Sequence, residues 1–168
     1  MPFETVTEAE VAVERAPDGS VVRPLARVPG LGSLATFELP PGAVSGAMVH
    51  ATVTEIWYVV AGAGQLWRRQ GAVEEVAALL PGVCATLPVG TAFQFRAYDE
   101  APLRIVAVTM PPWPAPDSGW VSGPNSGSGS GSNSGSGSNS GSGSVSGSGS
   151  GEARPVRGRW GRWEPRIQ

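Results

Sequence analysis

One cysteine, one histidine and no lysine occur among 168 residues. The lone cysteine, Cys84, excludes an intramolecular disulfide and any multi-cysteine zinc site. Such a thiol is expected to behave as a small buried hydrophobe. No apolar run reaches the roughly 20 residues that cross a bilayer. The opening MPFETVTEAE is acidic and carries no basic-then-apolar signal pattern, so the expected compartment is the cytoplasm. Helical periodicity is almost missing; only Val6–Arg15 carries a weak trace of it. Charge is unevenly placed. Residues 1–120 hold seven arginines against twelve acidic residues, a net of −5. Residues 121–168 hold five arginines against two, a net of +3. An acidic folded part is a poor electrostatic partner for nucleic acid.

What the chain does have is a succession of short apolar segments: Val21–Val28, Leu34–Leu39, Met48–Thr52, Glu55–Ala61, Gly64–Arg69, Glu74–Leu80, Cys84–Leu87, Ala92–Arg96 and Leu103–Thr109. Glycine, proline or aspartate punctuates them, as at Pro40-Pro41-Gly42, Gln70-Gly71 and Pro81-Gly82. Many short strands at near-regular spacing predict an all-β sandwich or barrel. Gly62, Gly64, Gly82 and Gly90 are expected in turns that need positive φ. The chain divides into an N-terminal arm (1–20), a barrel (21–112), a Pro-rich exit (113–121), a Gly/Ser low-complexity linker (122–151) and a basic-aromatic tail (152–168). Glycine and serine offer no side chains to bury, so the linker is expected to be flexible. The tail interleaves arginine and tryptophan in GRWGRWEPR. It is expected to dock back on the acidic barrel or to stay disordered, rather than to stack on nucleic acid.

Two stretches are chemically informative. In the first, Gly42 precedes Met48-Val49-His50, with Glu55 and Gly62 following; in the second, Gly82 precedes Pro88-Val89-Gly90, with Phe93 and Ala97 following. Side chains alternate along a strand. Met48, His50 and Thr52 are therefore expected on one face, Glu55, Trp57 and Val59 on another, and Phe93, Phe95 and Ala97 on a third. A hairpin between the first two sets would bring His50 and Glu55 together. Glu55, if buried, needs a partner: His50 or an arginine such as Arg104.

The spacing of these stretches resembles the two motifs of the cupin superfamily, in the form of a small single-domain cupin whose metal-binding motifs are degenerate. The resemblance covers about Arg23 to Met110 and implies a double-stranded β-helix, or jelly-roll barrel, with these faces turned inward. It also implies a metal held by three histidines and a glutamate, and commonly a homodimer. Here Met48 stands at the first histidine position, Phe93 at the third and Ala97 at the asparagine position. Only His50 and Glu55 remain of the ligand set, and a thioether is a soft donor ill suited to iron, manganese or zinc. Glu38 or Cys84 could complete a set only without support from spacing.

His50 thus has three readings: a hydrogen-bonded interior histidine, a remnant metal ligand, or a general base oriented by Glu55. Met48, Trp57, Phe93 and Phe95 form either plain core or the lining of an apolar pocket. Three functions follow. The leading one is binding of a small molecule in an apolar pocket of Met48, His50, Thr52, Glu55, Trp57, Phe93 and Phe95, with no cofactor and no tightly bound catalytic metal. The second is a metal-dependent dioxygenase or isomerase that holds a divalent ion through His50 and Glu55. The third is a metal-independent sugar isomerase or epimerase with His50 as base. Neither a membrane nor nucleic acid is an expected partner.

Overall fold

The structure is a computed structural model and describes residues 3–113 and 153–161. The Gly/Ser linker and most of the Pro-rich exit lie outside the described residues. Eleven strands are present among the described ones: β1 (Glu14–Arg15), β2 (Val21–Val28), β3 (Gly32–Leu39), β4 (Met48–His50), β5 (Thr54–Ala61), β6 (Gly64–Gln70), β7 (Val73–Leu79), β8 (Cys84–Leu87), β9 (Ala92–Ala97), β10 (Leu103–Met110) and β11 (Ala153–Pro155). The weak helical trace over Val6–Arg15 is realised only as a single 3₁₀ turn at Glu8–Glu10, followed by β1.

Two antiparallel sheets result. One runs β1-β2-β3-β10-β5-β8 and the other β11-β4-β9-β6-β7. Neighbours in each sheet are mostly distant in sequence, the winding of a jelly roll. Alternation decides which residues meet between the sheets. From the six-stranded sheet come Phe37, Leu39, Trp57, Val59, Leu87 and Ile105; the five-stranded sheet answers with Met48, Leu66, Leu79, Phe93 and Phe95. Each is almost completely buried. The strand β8 illustrates the rule: Ala85 and Leu87 point in, while Cys84 and Thr86 point out. Cys84 is therefore exposed and not the buried hydrophobe expected of it.

Two glycines fix the tight corner between β5 and β6 for different reasons. Gly62 has φ of 73°, a left-handed conformation that side chains resist. Gly64 has an ordinary φ, contrary to expectation. It is required because a Cβ there would run into the Arg96 carbonyl of the neighbouring β9. The two backbones approach too closely for any other residue. Gly71, by contrast, has φ of 58° in open space at the β6–β7 turn. Replacing Gly71 by Ala is expected to cost about 1–2 kcal/mol, the usual penalty of left-handed backbone. Gly64→Ala should cost more, because β6 and β9 must separate. Urea denaturation of the two variants checks the order.

Candidate functional site

The strand β4 ends at His50, and Ala51-Thr52 turn the chain toward the other sheet. The connection is therefore a corner between sheets and not the expected hairpin, since β4 and β5 belong to different sheets. Alternation stops with the strand, so Thr52 is exposed and does not line the interior. Val53 takes the buried position. The corner still brings His50 and Glu55 together, now from opposite walls.

His50 Nε2 lies 3.0 Å from Glu55 Oε1, with both side chains almost fully buried. The approach lacks hydrogen-bond alignment. Both atoms consequently have no hydrogen-bond partner among the described residues. Buried polar atoms in that condition are costly, at about 1–3 kcal/mol each. The other carboxylate oxygen is well served. Trp57 Nε1–H donates to Glu55 Oε2 at 2.6 Å. Both residues sit two apart on the inward face of β5, so the strand itself sets this bond.

Aromatic rings enclose the pair. Phe93 lies 5.2 Å from the imidazole, ring to ring, and Trp57 packs edge-on against Phe93 and Phe95 at 5.6 and 5.0 Å. Met48 and Phe93 are directly opposed across β4 and β9. The two positions where the resemblance implied histidines thus form one apolar contact. Among the described residues, no three His, Cys, Asp or Glu side chains are grouped closely enough to hold a metal ion. Glu38 faces outward toward Arg104, 3.6 Å away. Arg104 in turn bonds Glu8 and does not reach Glu55. Cys84 is on the outer surface. His50 and Glu55 are two donors, and the surrounding thioether and phenyl groups do not fit a tightly held metal.

Two further residues join the site from segments without a strand pattern. Trp113 opens the Pro-rich exit after β10. Its indole stands edge-on to His50 at 5.3 Å and tilted against Phe37 at 6.0 Å. Its backbone N–H is held by Ser33 Oγ and Thr109 Oγ1, and its carbonyl accepts from Arg27. The signal was a lone aromatic within a proline run. The second is Asp18, which stands before Gly19 in the turn that leads into β2. Its Oδ1 accepts from both the N–H and the hydroxyl of Ser20, at 2.9 and 2.6 Å. Its carboxyl is nevertheless buried. Burial pushes it above the ordinary aspartate range, the Ser20 bonds draw it partly back, and of the buried pair Glu55 pushes it up while His50 draws it down. No feature of the sequence marks this burial.

The class defined by this architecture is a double-sheet jelly roll with a buried imidazole–carboxylate pair in an aromatic interior. Residues 35–109, most of the barrel, match the family model of the cupin domain. Solved structures agree on the fold. The polyketide cyclase RemF from Streptomyces resistomycificus superposes with a TM-score of 0.54 at 21% identity, over 64% of this chain and 79% of that one. KdgF from Halomonas sp. gives a TM-score of 0.54 at 21% identity, over 64% and 94%. CapF from Staphylococcus aureus, a capsular polysaccharide assembling protein, gives 0.54 at 17% identity, over 64% of this chain but only 32% of its own length. The likeness thus spans about a third of CapF. No curated protein matches the sequence.

Asp18 yields a pH prediction. A carboxyl raised on folding binds its proton more tightly in the native state. Its stabilising effect is complete below the ordinary aspartate range and is lost as pH rises through the raised value. Asp18→Asn should abolish that loss while keeping an acceptor for Ser20. In chemical denaturation at stepped pH, the wild type should lose up to about 1.4 kcal/mol per pH unit through the window relative to the variant. Parallel curves would disprove the assignment.

Proposed function

We propose that this cupin binds a small molecule in its apolar interior through His50 and Glu55, without a tightly held catalytic metal. One observation carries the reading: two buried polar atoms, His50 Nε2 and Glu55 Oε1, converge without bonding each other. A ligand group that accepts from one and donates to the other, such as a hydroxyl, satisfies both at once. The remainder of the interior supports a flat, largely apolar body. Met48, Trp57, Phe93 and Phe95 belong to the core around the pair, and the Trp113 indole stands edge-on to His50. Such sites are mostly apolar with a few placed polar anchors. The Trp57 bond holds the Glu55 carboxylate in one orientation, which prepares the anchor before any ligand arrives.

The metal-dependent alternative is less well supported. It requires a further donor grouped with His50 and Glu55; Met48 and Phe93 are apolar at the implied histidine positions, and no three donors, Asp18 included, are so grouped among the described residues. A hydrophobic interior with one polar anchor also explains why the histidine positions carry Met48 and Phe93: both add apolar contact area where a ligand would lie.

Native mass spectrometry of protein purified without chelators tests both readings together. The expected outcome is no stoichiometric transition metal. Flat hydroxylated aromatic compounds should raise the melting temperature of the wild type. The shift should vanish in His50→Ala and weaken at least tenfold in apparent affinity in Glu55→Gln. One metal ion per chain that disappears in His50→Ala would overturn the proposal.

A further inference from the structure

The outer face of the five-stranded sheet is unusually well covered. Strand β9 alternates, with Phe93 and Phe95 inward and Gln94 outward. Trp67 pairs with Gln94 across β6 and shares that outer face. Outward residues of a surface sheet are normally wet. Yet Gln94 and Trp67 are each only 2% exposed, and Trp67 lies outside the main core.

What meets this face is the segment Ala153–Gly161. It begins as β11, paired antiparallel with β4 in the register Ala153↔His50, Arg154↔Val49 and Pro155↔Met48. The Val156 N–H then donates to the Ala47 carbonyl at 2.9 Å. Three successive residues, Gly158-Arg159-Trp160, are recognised individually. Gly158 sits so close that an added Cβ would come within 2.5 Å of the Ala47 Cβ and of Gln94 Oε1. Arg159 Nη1 pairs with Glu74 Oε1 at 3.1 Å. Trp67 Nε1–H donates to the same oxygen, and this bond first and Arg159 second hold the Glu74 carboxyl below its ordinary range. The Gln94 side-chain amide clamps the backbone of Trp160 at both ends: Oε1 accepts its N–H at 2.7 Å and Nε2 donates to its carbonyl at 2.8 Å. The Trp160 ring lies under the Arg96 guanidinium, 4.7 Å from its centroid.

Backbone pairing, a backbone-reading amide, one steric filter and one charge pair are the components of β-strand peptide recognition. We propose that this face is a peptide-recognition groove that reads an extended strand followed by Gly-Arg-Trp, with residues 153–161 its resident ligand in cis. The sequence holds the same triplet again at Gly161-Arg162-Trp163, so the chain carries two copies of that triplet. The groove is a property of the barrel and accepts the peptide from outside once its own copy is prevented from docking.

The full-length Gly158→Val/Gly161→Val double variant provides that test, since both triplets lose their glycine while the barrel is untouched. A labelled peptide of residues 153–161 should bind the double variant saturably in fluorescence anisotropy. Binding to the wild type, whose groove is occupied, should be at least about tenfold weaker. The same peptide with Arg159→Glu should fail on the double variant and recover when Glu74→Arg is added to the protein. Hydrogen exchange supplies a second readout: the Val156 and Trp160 amides should be protected in the wild type and not in the double variant. Equal peptide binding to both proteins, undiminished binding of the charge-reversed peptide, no binding to the double variant, or unprotected amides in the wild type would each overturn the proposal.

Discussion

The approach of His50 to Glu55 is the contact on which the site depends. Each comes from a different sheet, and the corner at Ala51-Thr52 passes the chain from one wall to the other between them. The pair therefore bridges the sandwich at one end of its core. Both facing atoms already lack a hydrogen-bond partner among the described residues, and a buried polar group in that state carries a desolvation cost. Trp57 removes one degree of freedom from the carboxylate. Phe93 and Trp113 confine the imidazole between rings. What remains unfulfilled is the direct bond between Nε2 and Oε1, and that shortfall is what makes the pair a candidate anchor rather than a finished structural link.

The fold was legible because alternation is a local property. The run Glu55–Ala61 exposes every second side chain, and its structure has the same phase. The glycine and proline spacing carried the corners. Thr52 departs from the expected face for a simple reason: period-two alternation ends with β4 at His50, and no residue type announces that a strand has stopped. The hairpin expectation failed because sheet membership depends on long-range pairing, β4 with β9 and β5 with β10, which local pattern does not contain. Cys84 was misplaced through a general preference of cysteine for burial, overruled here by its parity on β8.

The site was half legible. His50, Glu55, Met48, Trp57, Phe93 and Phe95 are all brought together as the alternation implies. Trp113 and Asp18 enter from segments with no strand pattern, one after β10 and one before β2. Their placement comes from tertiary bonds: Trp113 through Ser33 and Thr109, Asp18 through Ser20. The tail shows the same limit. Arginine and tryptophan imply docking on the acidic barrel, and Arg159 does meet Glu74, but the backbone clamp is the uncharged amide of Gln94. Its neighbourhood with Trp67 arises only when β6 and β9 pair.

Interior and exterior thus use one strand pair for two purposes. Strand β9 turns Phe93 toward the imidazole, Phe95 toward Trp57, and Gln94 and Arg96 toward the tail. Strand β4 presents His50 inward while its free edge takes β11. The account of the interior is tested most directly by a crystal structure of untreated, chelator-free protein, with anomalous data collected at transition-metal absorption edges. The account predicts light-atom density touching both His50 Nε2 and Glu55 Oε1, with no anomalous peak. An anomalous peak bound by those two atoms and a third protein donor would contradict it.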